Sequence, residues 1–178
     1  MSRSDDGGES WGDMLVGAAC DTYGPGPISN FAMISDRDDG HVHALFCHNY
    51  ARVFSTRSAD DGASWSEPME ITETFIPWRD EYPWRVIATG PGHGIQHSSG
   101  RYIIPIWMSD GTGTEFGPGK LGHRPSVVAG TYSDDQGKTW HLADILCRDG
   151  VGEVVNPSET LPLELTDGRV LFNIRTES

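Results

Sequence analysis

The 178 residues include 13 basic and 26 acidic side chains, a net charge of −13. That balance excludes the basic face a nucleic-acid backbone needs and weighs against an anionic membrane surface as partner. The 22 Gly and 11 Pro punctuate the chain, but six Trp, six Phe and five Tyr supply core bulk, which excludes a disordered chain and points to an all-β protein rich in turns.

In chain order the first feature is the turn Ser4-x-Asp6-x-Gly8-x-Ser10-Trp11. It returns as Ser58, Asp60, Gly62, Ser64 and Trp65, and again as Ser133, Asp135, Gly137, Thr139 and Trp140. Asp and Ser oxygens accept bonds from nearby amides and close a tight turn, and Gly supplies the positive φ it needs. The Trp is expected to begin the next strand and bury its ring as a plug beside the turn. Each copy therefore predicts a strand–turn–strand corner on a rim. Asp6, Asp60 and Asp135 are read as turn-closing rather than catalytic or calcium-binding, and Arg3 and Arg57 as strand surface cations. Apolar stretches at 51–54 and 126–129 lead into the two later copies.

Further hairpins fall between the copies. Asp38-Asp39-Gly40 precedes a strand from His41 to His48, Ser98-Ser99-Gly100 one from Arg101 to Trp107, and Thr166-Asp167-Gly168 one from Arg169 to Arg175. In the last, alternation puts Val170, Phe172 and Ile174 on one face and Leu171, Asn173 and Arg175 on the other. No 11-residue window carries a helical stripe. The copies lie 54 and 75 residues apart, which suits one four-stranded propeller blade per copy.

Several features have plain readings. Cys20, Cys47 and Cys147 show no ligand or disulfide spacing and are expected to be small buried thiols. His93, His97, His123 and His141 lack a metal-ligand rhythm and are read as surface or loop residues. Gly90-Pro91-Gly92-His93-Gly94 lacks the spacing and following helix of a phosphate loop. Asn156-Pro157-Ser158 is excluded from glycosylation by its proline. No cofactor or metal is expected. With no apolar run of about 18 residues and no apolar stretch near Met1, the compartment stays open.

The three turns resemble the Asp boxes (BNR repeats) of the sialidase (neuraminidase) superfamily. Gly90-Pro91-Gly92-His93-Gly94-Ile95-Gln96 with Gly100-Arg101 and Pro105, and Asn156-Pro157-Ser158-Glu159 with Leu163-Glu164-Leu165, Asp167-Gly168 and Asn173-Ile174-Arg175, resemble two longer segments of its exo-sialidases. The resemblance implies a six-bladed β-propeller, with residues 1–178 as a partial propeller domain of about three blades. It also implies that Arg175 is one of three arginines gripping a sugar carboxylate, a bidentate task for which a planar guanidinium is suited. Glu159 matches the Glu that activates the family's Tyr nucleophile. A neutral phenol avoids the repulsion that the substrate's own carboxylate would exert on an anionic nucleophile. Asn30, in a loop ahead of a hairpin, falls near a position lining the sugar pocket, and Trp107 near an aromatic wall.

The resemblance places a general-acid Asp and an Arg before the first Asp box, and a third Arg and the Tyr beyond Arg175. These are not found here, and a whole propeller would need about twice this length, at roughly 50–60 residues per blade. The expectation is thus a fragment of a retaining exo-α-sialidase, acting on a sialylated glycan or other acidic sugar and inactive by itself, with open edge strands that favour association. The alternatives are a non-catalytic Asp-box propeller binding glycans or proteins, and a glycosidase of this fold acting on another acidic sugar.

Overall fold

The computed structural model describes residues 1–16 and 20–177, with Cys20 and Asp21 by backbone alone. The thiol expected at Cys20 therefore lies outside the described residues. After a single helical turn at Cys20–Tyr23 comes a four-stranded antiparallel meander: β1 (Ile28–Ser35), β2 (Val42–His48), β3 (Arg52–Ser58) and the short β4 (Met69–Glu70). The Asp36 carboxylate caps the β1–β2 turn by accepting the Asp38 amide at 2.7 Å, and Gly40 takes the positive φ that closes it. Asn49 and Tyr50, both at φ 53°, turn β2 into β3.

The next strands are β5 (Val86–Thr89), β6 (Gly92–His93), β7 (Ile95–Gln96), β8 (Tyr102–Ser109), β9 (Ser126–Ser133) and β10 (His141–Arg148). β5 pairs with one half of β8 and β7 with the other, followed outward by β9 and β10. Between β5 and β7 the chain leaves its own sheet. There β6 pairs in parallel with β1 of the first sheet, Ala32 opposite Gly92 and Met33 opposite His93, and the Gly94 amide donates to the Met33 carbonyl at 2.9 Å. The Gly90–Gln96 segment is thus a stitch between two sheets. A hairpin of β11 (Thr160–Glu164) and β12 (Val170–Ile174) follows, closed by the predicted Asp167-Gly168 turn.

β2, β3, β8 and β9 are buried along most of their length, whereas the edge strand β10 alternates exposed and half-buried residues. The main core lies between the first two sheets, where Ile34, Leu45, Trp84, Ile87, Ile104 and Ile106 are fully buried. Each such side chain contributes roughly 1.5–3 kcal/mol relative to exposure. A smaller cluster joins Cys47, Val86, Ala88, Trp107 and Val128, with Tyr50, Cys147 and Ile174 against it.

The three repeated turns share one hydrogen-bond pattern. The Ser hydroxyl donates to the Asp carboxylate at 2.7–2.8 Å and accepts the Gly amide at 2.7–2.9 Å. The same carboxylate accepts the Ser10, Ser64 or Thr139 amide at 2.8–2.9 Å. The turn-closing reading is therefore what the geometry displays. The corner reading holds for the second and third copies, between β3 and β4 and between β9 and β10. It is not met by the first, which has no strand on either side among the described residues, although the Gly12 amide reaches the Arg3 carbonyl at 2.8 Å. The tryptophan plug needs the same correction. Trp140 is 5% exposed and leads into β10, Trp65 is half-buried, and Trp11 is 66% exposed, with no strand beside it among the described residues.

A helical element was also absent from the sequence reading. Thr72–Asp80 forms a 3₁₀ helix that buries Phe75 and Trp78 three residues apart, the repeat of that helix.

The bonds from Ser64 and Ser58 hold the Asp60 carboxyl down to about 2. Burial raises that of Asp135, but bonds from Thr139 and Ser133 outweigh it and bring it to about 2. An unfolded Asp titrates near about 3.9. Their stabilisation is therefore whole above that value and lost as pH falls toward 2. The urea unfolding midpoint should drop between about pH 4 and pH 2, and a midpoint unchanged over that window would contradict the assignment.

Candidate functional site

The β11–β12 register sets Thr160 opposite Ile174, which places Glu159 and Arg175 directly opposite at the open end of the hairpin. The Arg175 amide donates to the Glu159 carbonyl at 2.9 Å, and its Nη1 reaches Glu159 Oε2 at 3.2 Å. Sixteen residues of chain separate two side chains that the hairpin makes neighbours. Beyond them the Glu177 amide donates to Val155, and the Asn156 side chain donates to Glu177 Oε2 at 2.9 Å.

This end of the hairpin forms one side of a cleft of about 360 Å³, and all four residues singled out in the sequence (Asn30, Trp107, Glu159 and Arg175) line it. Asn30 is not in a loop, as expected, but in β1. The β1–β2 register slips between Ser29 and Ala32, and Asn30 takes φ 58° there. Its carbonyl accepts the Thr89 hydroxyl, which fixes the bulge against β5. Trp107 projects from β8 and is 5% exposed; its buried Nε1 finds no partner among the described residues.

The sequence reading missed most of the remaining wall. His123, expected at the surface, is half-buried with its ring 5.1 Å from Trp107, 4.5 Å from Tyr50 and 4.7 Å from Phe116. Burial lowers its pKa below the ordinary value, Glu115 opposing and Arg124 reinforcing the shift. Arg124 donates twice to Glu177, whose carboxyl it holds below the usual range together with Asn156. The Glu115 carboxylate accepts the His123 amide.

The charges decide what this wall can do. Glu115, Glu159 and Glu177 set against Arg124 and Arg175 leave a formal charge of −1. Both guanidiniums are already paired, Arg175 with Glu159 and Arg124 with Glu177. An anionic ligand must therefore share a guanidinium with its resident carboxylate or displace it. None of the Asp-box residues lines the cleft.

Residues 2–178 match the family model described as a BNR repeat-like domain. Human Sialidase-3 is 36% identical over 122 residues, 67% of this chain and 26% of its own. The sialidase of Bacteroides fragilis (strain YCH46) is 25% identical over 200 residues, 98% of this chain and 33% of its own. The chain belongs to the BNR-repeat family of the sialidase superfamily. This BNR-repeat chain spans about a quarter to a third of the length of these two relatives.

Solved structures share its fold. The Hadza microbial sialidase Hz136 superposes with a TM-score of 0.75 at 24% identity, covering 99% of the BNR-repeat chain and 35% of that protein. Trypanosoma rangeli sialidase, solved as a covalent intermediate with 2,3-difluorosialic acid, gives 0.70 at 19% identity over 98% of this chain and 29% of its own. The sheets described above are therefore β-propeller sheets.

Proposed function

We propose that this chain is part of a six-bladed, retaining exo-α-sialidase and carries one flank of its sugar site. In this reading Arg175 binds the sugar carboxylate and Glu159 is the carboxylate partner of a tyrosine nucleophile. Asn30 and Trp107 contact the rest of the sugar. The observation that carries the reading is the Glu159–Arg175 pair, set opposite in one hairpin and opening onto the same cleft as Asn30 and Trp107. It is supported by the T. rangeli sialidase of the same fold, which was solved with sialic acid and with the inhibitor DANA.

The guanidinium would take the carboxylate in a charge-assisted bond, and Trp107 would give the sugar an apolar face. Among the described residues Glu159 pairs with Arg175 and not with a tyrosine. This chain alone is therefore expected to bind the sugar without hydrolysing a fluorogenic sialoside. Turnover that disappears in Glu159→Gln would contradict this expectation. Saturation-transfer NMR with N-acetylneuraminic acid should detect binding, and Arg175→Ala should weaken it tenfold or more.

The negative balance of the cleft favours a second reading, a non-catalytic propeller that binds glycans. Equal affinity for a sialylated glycan and its desialylated form would select it.

A further inference from the structure

Tyr50 is a bulky residue in the left-handed region, at φ 53° directly after Asn49 at the same angle. Such a conformation is strained for a residue with a side chain and persists only where the surroundings impose it. Here the Ala51 amide closes the turn onto the His48 carbonyl, and the Ile87 amide binds the Tyr50 carbonyl at 2.9 Å. The result is a ring standing against His123 and Trp107.

Tyr50, Phe116 and His123 form one wall of the cleft. The same three line a second cavity of about 410 Å³, whose other sides are Asn49, Val86, Gly119, Lys120 and Leu121. Glu159 and Arg175 do not line this second cavity; they border a different hollow with Pro91 and Leu161. The aromatic partition therefore stands between the second cavity and the flank that carries the candidate carboxylate anchor.

We infer that the second cavity extends the sugar site and receives an acyl group carried by an acidic sugar at the end remote from its carboxylate. This rests on the reading of Arg175 given above. A nine-carbon acidic sugar anchored at Arg175 by its carboxylate directs its exocyclic chain away from that anchor. A bare hydroxyl there has little to gain beyond the partition. An acetate ester carries a methyl suited to Val86, Leu121 and the Phe116 ring, and a carbonyl able to accept from the Lys120 ammonium or the Asn49 amide. The strain at Tyr50 acquires a purpose in this arrangement, since the ring's position keeps the two compartments distinct yet adjacent.

The test compares N-acetylneuraminic acid with its 9-O-acetyl ester on the 178-residue chain by saturation-transfer NMR and competition. The ester is expected to bind three- to tenfold more tightly, with strong saturation at the acetate methyl. Leu121→Trp, which fills the second cavity from an exposed position, is expected to erase that difference. Should Leu121→Trp not fold by circular dichroism, Lys120→Trp, also exposed, takes its place. An ester that binds no better than the parent sugar, or an advantage that survives the filling variant, overturns the extension and leaves the Arg175 reading standing. Binding of neither sugar overturns both.

Discussion

Gly94→Ala is expected to destabilise the chain by about 3 kcal/mol, at the upper end of the usual cost of overpacking. A Cβ at this position would lie 2.6 Å from the Ile103 carbonyl oxygen, 2.6 Å from Ile104 Cγ1 and 2.8 Å from Ile34 Cγ1. One of those neighbours is backbone in β8, and Ile34 and Ile104 are fully buried core residues. None can withdraw cheaply, since the interior is packed at near-crystal density. The Gly94 amide also ties β1 to the excursion through Met33, so relief by local movement would break the stitch. Urea denaturation of the variant should show a much lower midpoint with an unchanged slope. A loss below about 1 kcal/mol would mean that the two sheets approach less closely than described. Gly100→Ala is the natural contrast: it meets no neighbouring atom but has a positive φ, so only the conformational cost of roughly 1–2 kcal/mol applies.

Asp135→Ala should cost about 2 kcal/mol, whereas Asp6→Ala should leave global stability nearly unchanged. The two carboxylates have matching local partners, a Ser hydroxyl, a backbone amide and a second hydroxyl. Local bonding alone would therefore predict equal effects. The difference lies in what the turn supports. In the third copy Trp140 is buried in the main core, and Gly137 lies so close to the first sheet that a Cβ would fall 3.1 Å from His43 Nδ1. Loss of that turn would unseat the ring and the contact between sheets. In the first copy Trp11 is exposed and Gly8 meets no neighbour. The discount from the roughly 1.5–3 kcal/mol of each charged hydrogen bond reflects the partial exposure of Asp135. Equal thermal shifts for both variants would remove the distinction.

The same pair shows what could be read from the sequence. Five residues in eight specify the turn, because every bond that closes it is made within the turn itself. The burial of its tryptophan depends on a neighbouring sheet, and nothing local encodes that. The meeting of Glu159 and Arg175 was legible for a similar reason: Asp167-Gly168 fixes the hairpin, and the hairpin fixes the register. Tyr50, Phe116 and His123 were not legible. They come from the β2–β3 turn and from the connection between β8 and β9, and they meet only through the packing of two sheets. An Asn-Tyr pair gives little sign that both residues will be left-handed. The 3₁₀ helix left a fainter mark, apolar residues at Ile71, Phe75 and Trp78 whose spacing makes no stripe of α-helical period.

The excursion at β6 has a consequence for cooperativity. The parallel pairing couples the first two sheets, so neither opens without breaking bonds in the other. The β11–β12 hairpin shares no strand pairing with them among the described residues and is tied to the second sheet by side chains, Glu164 accepting the Ser98 amide and His97 meeting the Gly168 carbonyl. It rests on Gly92 through Leu161 and on the Trp107 cluster through Ile174, while Leu163 and Leu171 are half or more exposed. The cleft therefore straddles two units of unequal stability, its aromatic wall in the stronger and its charged flank in the weaker. Amide exchange should report the Arg175 amide, bonded to the Glu159 carbonyl, opening well before the Trp107 amide within β8, so that the anchor for the ligand's charge fluctuates against a fixed apolar floor.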